Sequence, residues 1–134
     1  MRTILPLLAA PLLAMAWLAP GCAGGGGHVE KGQGRYDGPA IRIDSTGTQH
    51  LLILTAPTAG WSFTFDQVKK AFGHQELFVT VTKPNPAAMH AQVIVEQRLG
   101  TSVDSKTPLT VFVREVDFGS DPDARPYEFA AKSG

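Results

Sequence analysis

The chain has 134 residues, with 12 Lys or Arg, 12 Asp or Glu, four His and a single Cys. Its balanced and scattered charge gives no basic surface of the kind that binds nucleic acid or anionic lipid. One cysteine cannot close an internal disulfide, so the fold must be stabilised by packing.

The first 21 residues have the features of an export signal. A basic start at Arg2 is followed by an apolar run over residues 4–17, and small residues lead up to Cys22. The apolar run is too short and too interrupted by proline to span a bilayer. We therefore predict that residues 1–21 are a signal peptide and not part of the fold.

The position of Cys22, directly after this signal, resembles the lipobox of bacterial lipoproteins. The resemblance implies that the thiol is acylated, with a chain such as palmitate, and that Cys22 becomes the first residue of a membrane-anchored chain. Ala23 would then favour the outer membrane in a two-membraned bacterium, and the cell surface otherwise. An ordinary secretory peptide that happens to carry a cysteine is the alternative.

Residues 22–38 are predicted to be a flexible tether. The segment is rich in glycine and polar residues, and it cannot bury enough apolar surface to offset the entropy of ordering it. The run from Gly24 to Gly27 is its most flexible part. The remaining chain is long enough for one domain with a single hydrophobic core.

Beyond the tether, the hydrophobic pattern has the period of β-strands. Trp61, Phe63 and Phe65 alternate with polar residues, so their rings should share the core face of one strand. The pattern predicts an all-β domain over residues 39–118, an antiparallel Ig-like β-sandwich or small barrel of six or seven strands. The predicted strands are residues 39–44, 50–55, 61–69, 76–82, 91–98 and 109–117.

The secondary structure of three segments needs separate comment. Phe65, Val68 and Phe72 also fall at helical spacing behind Asp66, so a short helix is an alternative to a strand there. Residues 91–98 contain Val93, Ile94 and Val95, which are apolar on both faces and indicate a central strand. Residues 119–134 are polar and are predicted as a C-terminal tail or a short closing strand.

The sequence carries no catalytic motif. It has no Gly-x-Ser-x-Gly turn, no phosphate-binding glycine loop, no His-Glu-x-x-His helix and no free thiol in the domain. Its histidines are dispersed, and Asp117, Asp121 and Asp123 match no loop that supplies a full calcium shell. We therefore predict no enzyme activity, no cofactor and no metal, and a role in binding another protein.

The turn before the aromatic strand carries a resemblance to a known family. Residues 51–116 resemble the PrcB-type C-terminal domain of protease-complex-associated bacterial lipoproteins, which has a Thr-Gly-Gly-Tyr turn leading into a strand. The resemblance implies a non-catalytic domain whose partner is another envelope protein, with a protease as the expected class. The matching residues are Thr58-Ala59-Gly60-Trp61, Val79-Thr80-Val81, Pro84-Asn85-Pro86 and Gln92.

The same turn is also similar to the Asn-Pro-Thr-Thr-Gly-Tyr loop of chagasin-type cysteine protease inhibitors. That resemblance implies an inhibitor that inserts loops into a papain-like cleft, although the Gly-x-Gly-Gly element of that family is missing. Near the C-terminus, a second segment is similar to the Arg-Pro-aromatic loop of the same family. The candidate binding residues are Pro57, Thr58, Ala59, Gly60, Trp61, Arg125, Pro126 and Tyr127.

Overall fold

The computed structural model describes residues 29–134, and nearly all of its regular structure is β-strand. The prediction of an all-β fold is confirmed. The predicted signal peptide, Cys22 and the glycine run lie outside the described residues. The strands are β1 Lys31–Arg35, β2 Ala40–Asp44, β3 Gln49–Ala56, β4 Ser62–Ala71, β5 His74–Thr82, β6 Val95–Asp104, β7 Leu109–Val116 and β8 Tyr127–Lys132, with one 3₁₀ turn at Pro122–Ala124.

The strands form two sheets that share one core. The larger sheet has the order β1-β8-β7-β5-β4, and the smaller sheet has the order β2-β3-β6. Side chains alternate between the two faces of each strand, so one set from β3, β5 and β7 points between the sheets. This set is fully or almost fully buried and includes Leu52, Leu54, Leu77, Val79, Val81, Val111 and Val113.

The larger sheet is mixed, which corrects the prediction of a purely antiparallel sandwich. β5 pairs with β7 in parallel, and β1 pairs with β8 in parallel. The chain leaves the larger sheet after β5, runs back along the smaller sheet as β6 and then returns as β7. Because β6 brings the chain back to the end where β5 began, β7 starts at that end and runs parallel to β5.

The three long connections lie at one end of the sandwich, which we call the loop end. They are residues 57–61 between β3 and β4, residues 83–94 between β5 and β6, and residues 117–126 between β7 and β8. The strand registers place Ser62 beside Thr82 and Thr82 beside Val116. The turns at residues 45–48, 72–73 and 105–108 lie at the other end.

Strand β1 occupies part of the segment that was predicted to be a tether. Residues 31–35 pair with β8 instead of remaining free, and the Tyr127 N–H donates to the Glu30 carbonyl at 2.8 Å. Composition could not show this because the strand is held by backbone pairing and by charged side chains, and not by apolar burial. At the C-terminus, β8 is the closing strand that was one of the two predicted alternatives.

Strand β4 extends over the segment where a helix was the alternative. Its register shifts between Phe65 and Gln67, so the alternation predicted from the sequence is broken there. Trp61 and Phe63 pack against the core, as predicted, but Phe65 is 38% exposed. The prediction of a central strand at residues 91–98 is wrong, because β6 lies at the edge of the smaller sheet. It is also wrong at its start, since β6 begins at Val95 and Ile94 is 75% exposed.

Candidate functional site

The candidate turn at residues 57–61 is held at the loop end by the connection between β5 and β6. The Ala59 N–H donates to the Ala91 carbonyl at 3.2 Å, and the Gln97 amide donates to the Trp61 carbonyl at 2.7 Å. A Cβ at Gly60 would lie 2.6 Å from the Pro84 Cβ and 2.7 Å from the His90 ring. Only glycine allows this close approach, so the backbone of the turn is fixed by packing.

The turn presents only part of itself to solvent. Pro57 and Ala59 are exposed, while Thr58 is half-buried and lines a groove with the neighbouring loop. Trp61 packs its ring against the core and therefore positions the turn. Pro57, Thr58 and Ala59 are the residues of this segment that can contact a partner.

The second candidate segment lies at the same end but three strands away. Residues 57–61 precede β4 and residues 125–126 precede β8, with β5 and β7 between them. Neighbouring strands are about 4.8 Å apart, so the two segments are separated by about 14 Å. Arg125 and Pro126 line a separate depression with Lys83 and Glu115. The start of the connection between β5 and β6 joins the two segments, because Lys83 lies in this depression and the next residue contacts Gly60.

Tyr127 is not available to a partner, which corrects its place among the candidate binding residues. Its side chain is 5% exposed, and its hydroxyl donates to Asp66 Oδ2 at 2.8 Å. Its ring packs edge-on against Phe78, and the Arg114 guanidinium lies 4.6 Å from the ring centre. The Arg-Pro-aromatic pattern could not show that Tyr127 already belongs to β8, where its ring covers the outer face of the sheet.

A polar network across the larger sheet was not found in the sequence. Thr80 donates to Asp66 Oδ2 at 2.5 Å and accepts from Arg114 Nε at 2.8 Å. Arg114 also donates to the Pro122 carbonyl at 2.9 Å and to Asp123 Oδ1 at 3.1 Å. Its side chain is only 10% exposed. The network therefore ties the connection between β7 and β8 to the sheet, and the only sequence signal for it was a pair of polar residues inside two apolar strands.

The pKa of Tyr127 gives a prediction about alkaline stability. Burial, and then the hydrogen bond to the Asp66 carboxylate, raise the pKa of Tyr127 to about 12. An unfolded tyrosine ionises near pH 10, so the stability contributed by the protonated phenol is complete below about pH 10 and is lost as the pH rises towards 12. Melting curves at pH 9, 10 and 11 should show a smaller loss of Tm in Tyr127→Phe than in the wild type. Equal losses would contradict the assignment.

The loop end also carries large apolar side chains that face solvent. Met89, Val93 and Ile94 lie in the connection between β5 and β6, and Phe118 lies between β7 and β8; all four are more than half exposed. Ile94 and Pro57 share one shallow apolar depression. Met89 lines the neighbouring groove together with Thr58 of the candidate turn. We call the exposed apolar residues at this end, Pro57, Met89, Val93, Ile94 and Phe118, the apolar loop surface.

Large apolar side chains are the exposed groups that this surface presents to solvent. Within residues 29–134, no three His, Cys, Asp or Glu side chains are grouped so that they could hold a metal ion. The described part of the chain also has no helix of the length and hydrophobicity needed to cross a membrane. Comparisons with protein-family models, curated proteins and solved structures gave no match.

Proposed function

We propose that the protein is an exported, membrane-anchored lipoprotein whose β-domain is non-catalytic and binds another envelope protein through the apolar loop surface. The observation that carries the proposal is the exposure of four large apolar side chains on two connections at the same end of the sandwich as the candidate turn. Exposed apolar patches are characteristic of protein contact sites, and Ile94 and Pro57 share one such depression. A protease or a protease complex is the first candidate partner, because of the resemblance to the PrcB-type domain.

The energetics of these side chains favour a protein partner. Burying one large aliphatic side chain yields about 1.5 to 3 kcal/mol relative to leaving it in water. Met89 is fully exposed and Ile94 is 75% exposed. Binding that covers both side chains is therefore favoured by most of this free energy for each of them. The turn at residues 57–61 is fixed by packing, so little ordering entropy opposes binding there.

A chagasin-like inhibitor of papain-like cysteine proteases is the second candidate function. The observation that favours it is that all three long connections lie at the same end, as a loop wedge requires. A stoichiometric inhibition assay with papain tests this alternative directly. Inhibition that reaches completion at one molecule of domain per enzyme would favour the inhibitor, and no inhibition at micromolar concentrations would leave the accessory-protein proposal.

Substitution of Ala59 tests the binding surface. Ala59 is exposed, so Ala59→Arg should change the free energy of unfolding by no more than about 0.5 kcal/mol. The same change places a long charged side chain in the contact and should weaken partner binding at least tenfold. The partner is first captured in the native envelope with a photocrosslinking residue at Ile94, and its affinity is then measured for both forms.

The matched control is Ser102→Arg, which adds the same side chain at an exposed position of β6 on the smaller sheet. This variant should bind the captured partner like the wild type. If Ala59→Arg also binds like the wild type, the apolar loop surface is not the binding site and the proposal is wrong.

Replacement of Cys22 tests the membrane anchor. Cys22→Ser removes the only thiol of the chain, so the exported protein should lose its acyl label and move from the detergent phase to the aqueous phase in a phase-partition experiment. The wild-type protein should carry the label on its first residue. A mature wild-type chain that starts at another residue, or that carries an unmodified cysteine, would contradict the anchor.

A further inference from the structure

The outer face of the larger sheet carries a second cluster, which we call the outer aromatic cluster: Phe78 and Tyr127, which are buried, and Phe112 and Phe129, which are half-buried. Phe78 stacks on Phe112 with 5.4 Å between ring centres, and Phe112 meets Phe129 edge-on at 6.4 Å. Phe78 points away from the main core and yet is 0% exposed. Other parts of the chain must therefore cover this face.

Strand β1 contributes much of that cover through its two cations. The Lys31 ammonium lies 4.7 Å from the ring centre of Phe112 and forms an ion pair with Glu76 at 2.6 Å. The Arg35 guanidinium lies 5.6 Å from the ring centre of Phe129. Cations over aromatic faces are attracted by the ring quadrupole. The cluster and Glu76 together form a site that selects a cation from the strand bound beside β8.

Two glycines of β1 lie close to the Glu128 side chain of β8. A Cβ on Gly34 would lie 2.7 Å from Glu128 Oε1, and a Cβ on Gly32 would lie 3.3 Å from Glu128 Cγ. The Glu128 side chain therefore packs against the β1 backbone at these two positions. The order of β1, Lys-Gly-Gln-Gly-Arg, places a glycine at both of them.

Strand β1 is the most weakly held strand of the larger sheet. Its ladder with β8 has two matched positions with an irregularity between them, and most of its residues are exposed. Each of its glycines also loses more chain entropy on ordering than another residue would. Segments with few buried contacts open locally at a small fraction of the global free energy. β1 is thus the strand that detaches first.

The connection from β1 to β2 is short and bent. Only residues 36–39 lie between the two strands, and the chain bends at Gly38 and Pro39. A short hinge beside a terminal strand favours exchange of that strand between copies, because the straightened hinge carries the strand to a neighbour.

We propose that the edge of β8 and the outer aromatic cluster form a strand-acceptor site that takes β1 from a second copy of this chain. In the exchanged dimer, Lys31 of each copy pairs with Glu76 of the other, and both acceptor sites are filled. All contacts of the closed monomer are kept, and only the hinge at residues 37–39 changes. The proposal does not depend on the apolar loop surface or on the identity of the envelope partner.

Charge exchange between two pools of protein tests the proposal. One pool of the mature chain carries Lys31→Glu and the other carries Glu76→Lys, with a different affinity tag on each. Within either pool, like charges meet whenever β1 docks, whether on its own copy or on another. In a mixed dimer with exchanged strands, both docked pairs have opposite charges again. Sequential capture through both tags recovers only dimers that contain one molecule of each tag. We expect it to recover at least tenfold more protein from the mixture of the two variants than from a mixture of two differently tagged pools of the same variant.

The double variant Lys31→Glu with Glu76→Lys is the control, because its opposite charges are restored within each copy. It should exchange with itself as the wild type does, and circular dichroism of all variants before mixing should show the same β-signal. Wild-type pools with the two tags provide a test without any substitution: mixed dimers should form on concentration, and a peptide of residues 29–38 should suppress them. Equal recovery from mixed and unmixed variant pools, or the absence of mixed wild-type dimers, would overturn the proposal.

Discussion

Phe78→Ala should lower the free energy of unfolding by about 3 to 5 kcal/mol, the usual cost of truncating a buried aromatic residue. Phe78 is fully buried, with Phe112 stacked on one face and the edge of Tyr127 at 5.1 Å. A domain of this size has a total stability of about 5 to 15 kcal/mol, so this one change removes a large part of it. Urea unfolding followed by circular dichroism gives the difference directly.

Phe72→Ala provides the matched control. Phe72 is the same residue type at the turn between β4 and β5, and it is fully exposed. Its truncation should change the stability by no more than about 0.5 kcal/mol. If the two variants were equally stable, the outer aromatic cluster would contribute nothing to the fold.

Arg114→Met should cost about 3 kcal/mol, because it removes one partner from a nearly buried charged network. Methionine keeps much of the apolar length, so the loss reports on the guanidinium. Asp66 would lose its cation, and the Pro122 carbonyl would lose its donor. The global stability should therefore fall, and the rate of amide hydrogen exchange should increase in residues 117–126.

Arg98→Met is the comparison for this second prediction. The Arg98 side chain is 62% exposed, and its ion pair with Glu96 is 3.8 Å long. Exposed ion pairs of this kind contribute about 0 to 1 kcal/mol. A loss in Arg114→Met no larger than the loss in Arg98→Met would show that the network does not stabilise the fold.

The strands with clear alternation could be predicted from the sequence, because their period of two is a direct consequence of strand geometry. The run at 109–117 matches β7, and the run at 76–82 matches the greater part of β5. The alternation of Trp61, Phe63 and Phe65 failed only at Phe65, where the register shifts. A bulge depends on the partner strand, which a single strand's sequence does not contain.

Strand β1 and the exposed apolar loop could not be predicted for a related reason. The sequence of β1 has no apolar residue, and its strand character comes from pairing with β8 at the far end of the chain. Val93 and Ile94 gave a strand-like pattern because, in the sequence alone, apolar residues of an exposed loop look the same as apolar residues of a core strand. Local pattern alone does not separate these two cases.

The sequence predicted the turn at residues 57–61 but not the polar network of Asp66, Thr80 and Arg114. Pro57 and Gly60 are turn residues with specific backbone preferences, and the structure places both in a turn. Asp66, Thr80 and Arg114 lie on three different strands, so their meeting depends on the strand order. Tyr127 is a candidate only through the resemblance to an Arg-Pro-aromatic loop, which does not show that the loop ends at Pro126 and that Tyr127 begins β8.

The docking of β1 also limits the distance that the proposed anchor at Cys22 would allow between the domain and a membrane. With the anchor proposed at Cys22, residues 22–30 are the whole span before the first strand, and nine extended residues reach at most about 30 Å. A flexible chain of that length covers an average distance of about 17 Å. Because Lys31 lies beside Tyr127, where the loop end meets β8, the chain enters the domain near its apolar loops. A partner of these loops would then meet them close to the membrane, within the thickness of a few lipid headgroups.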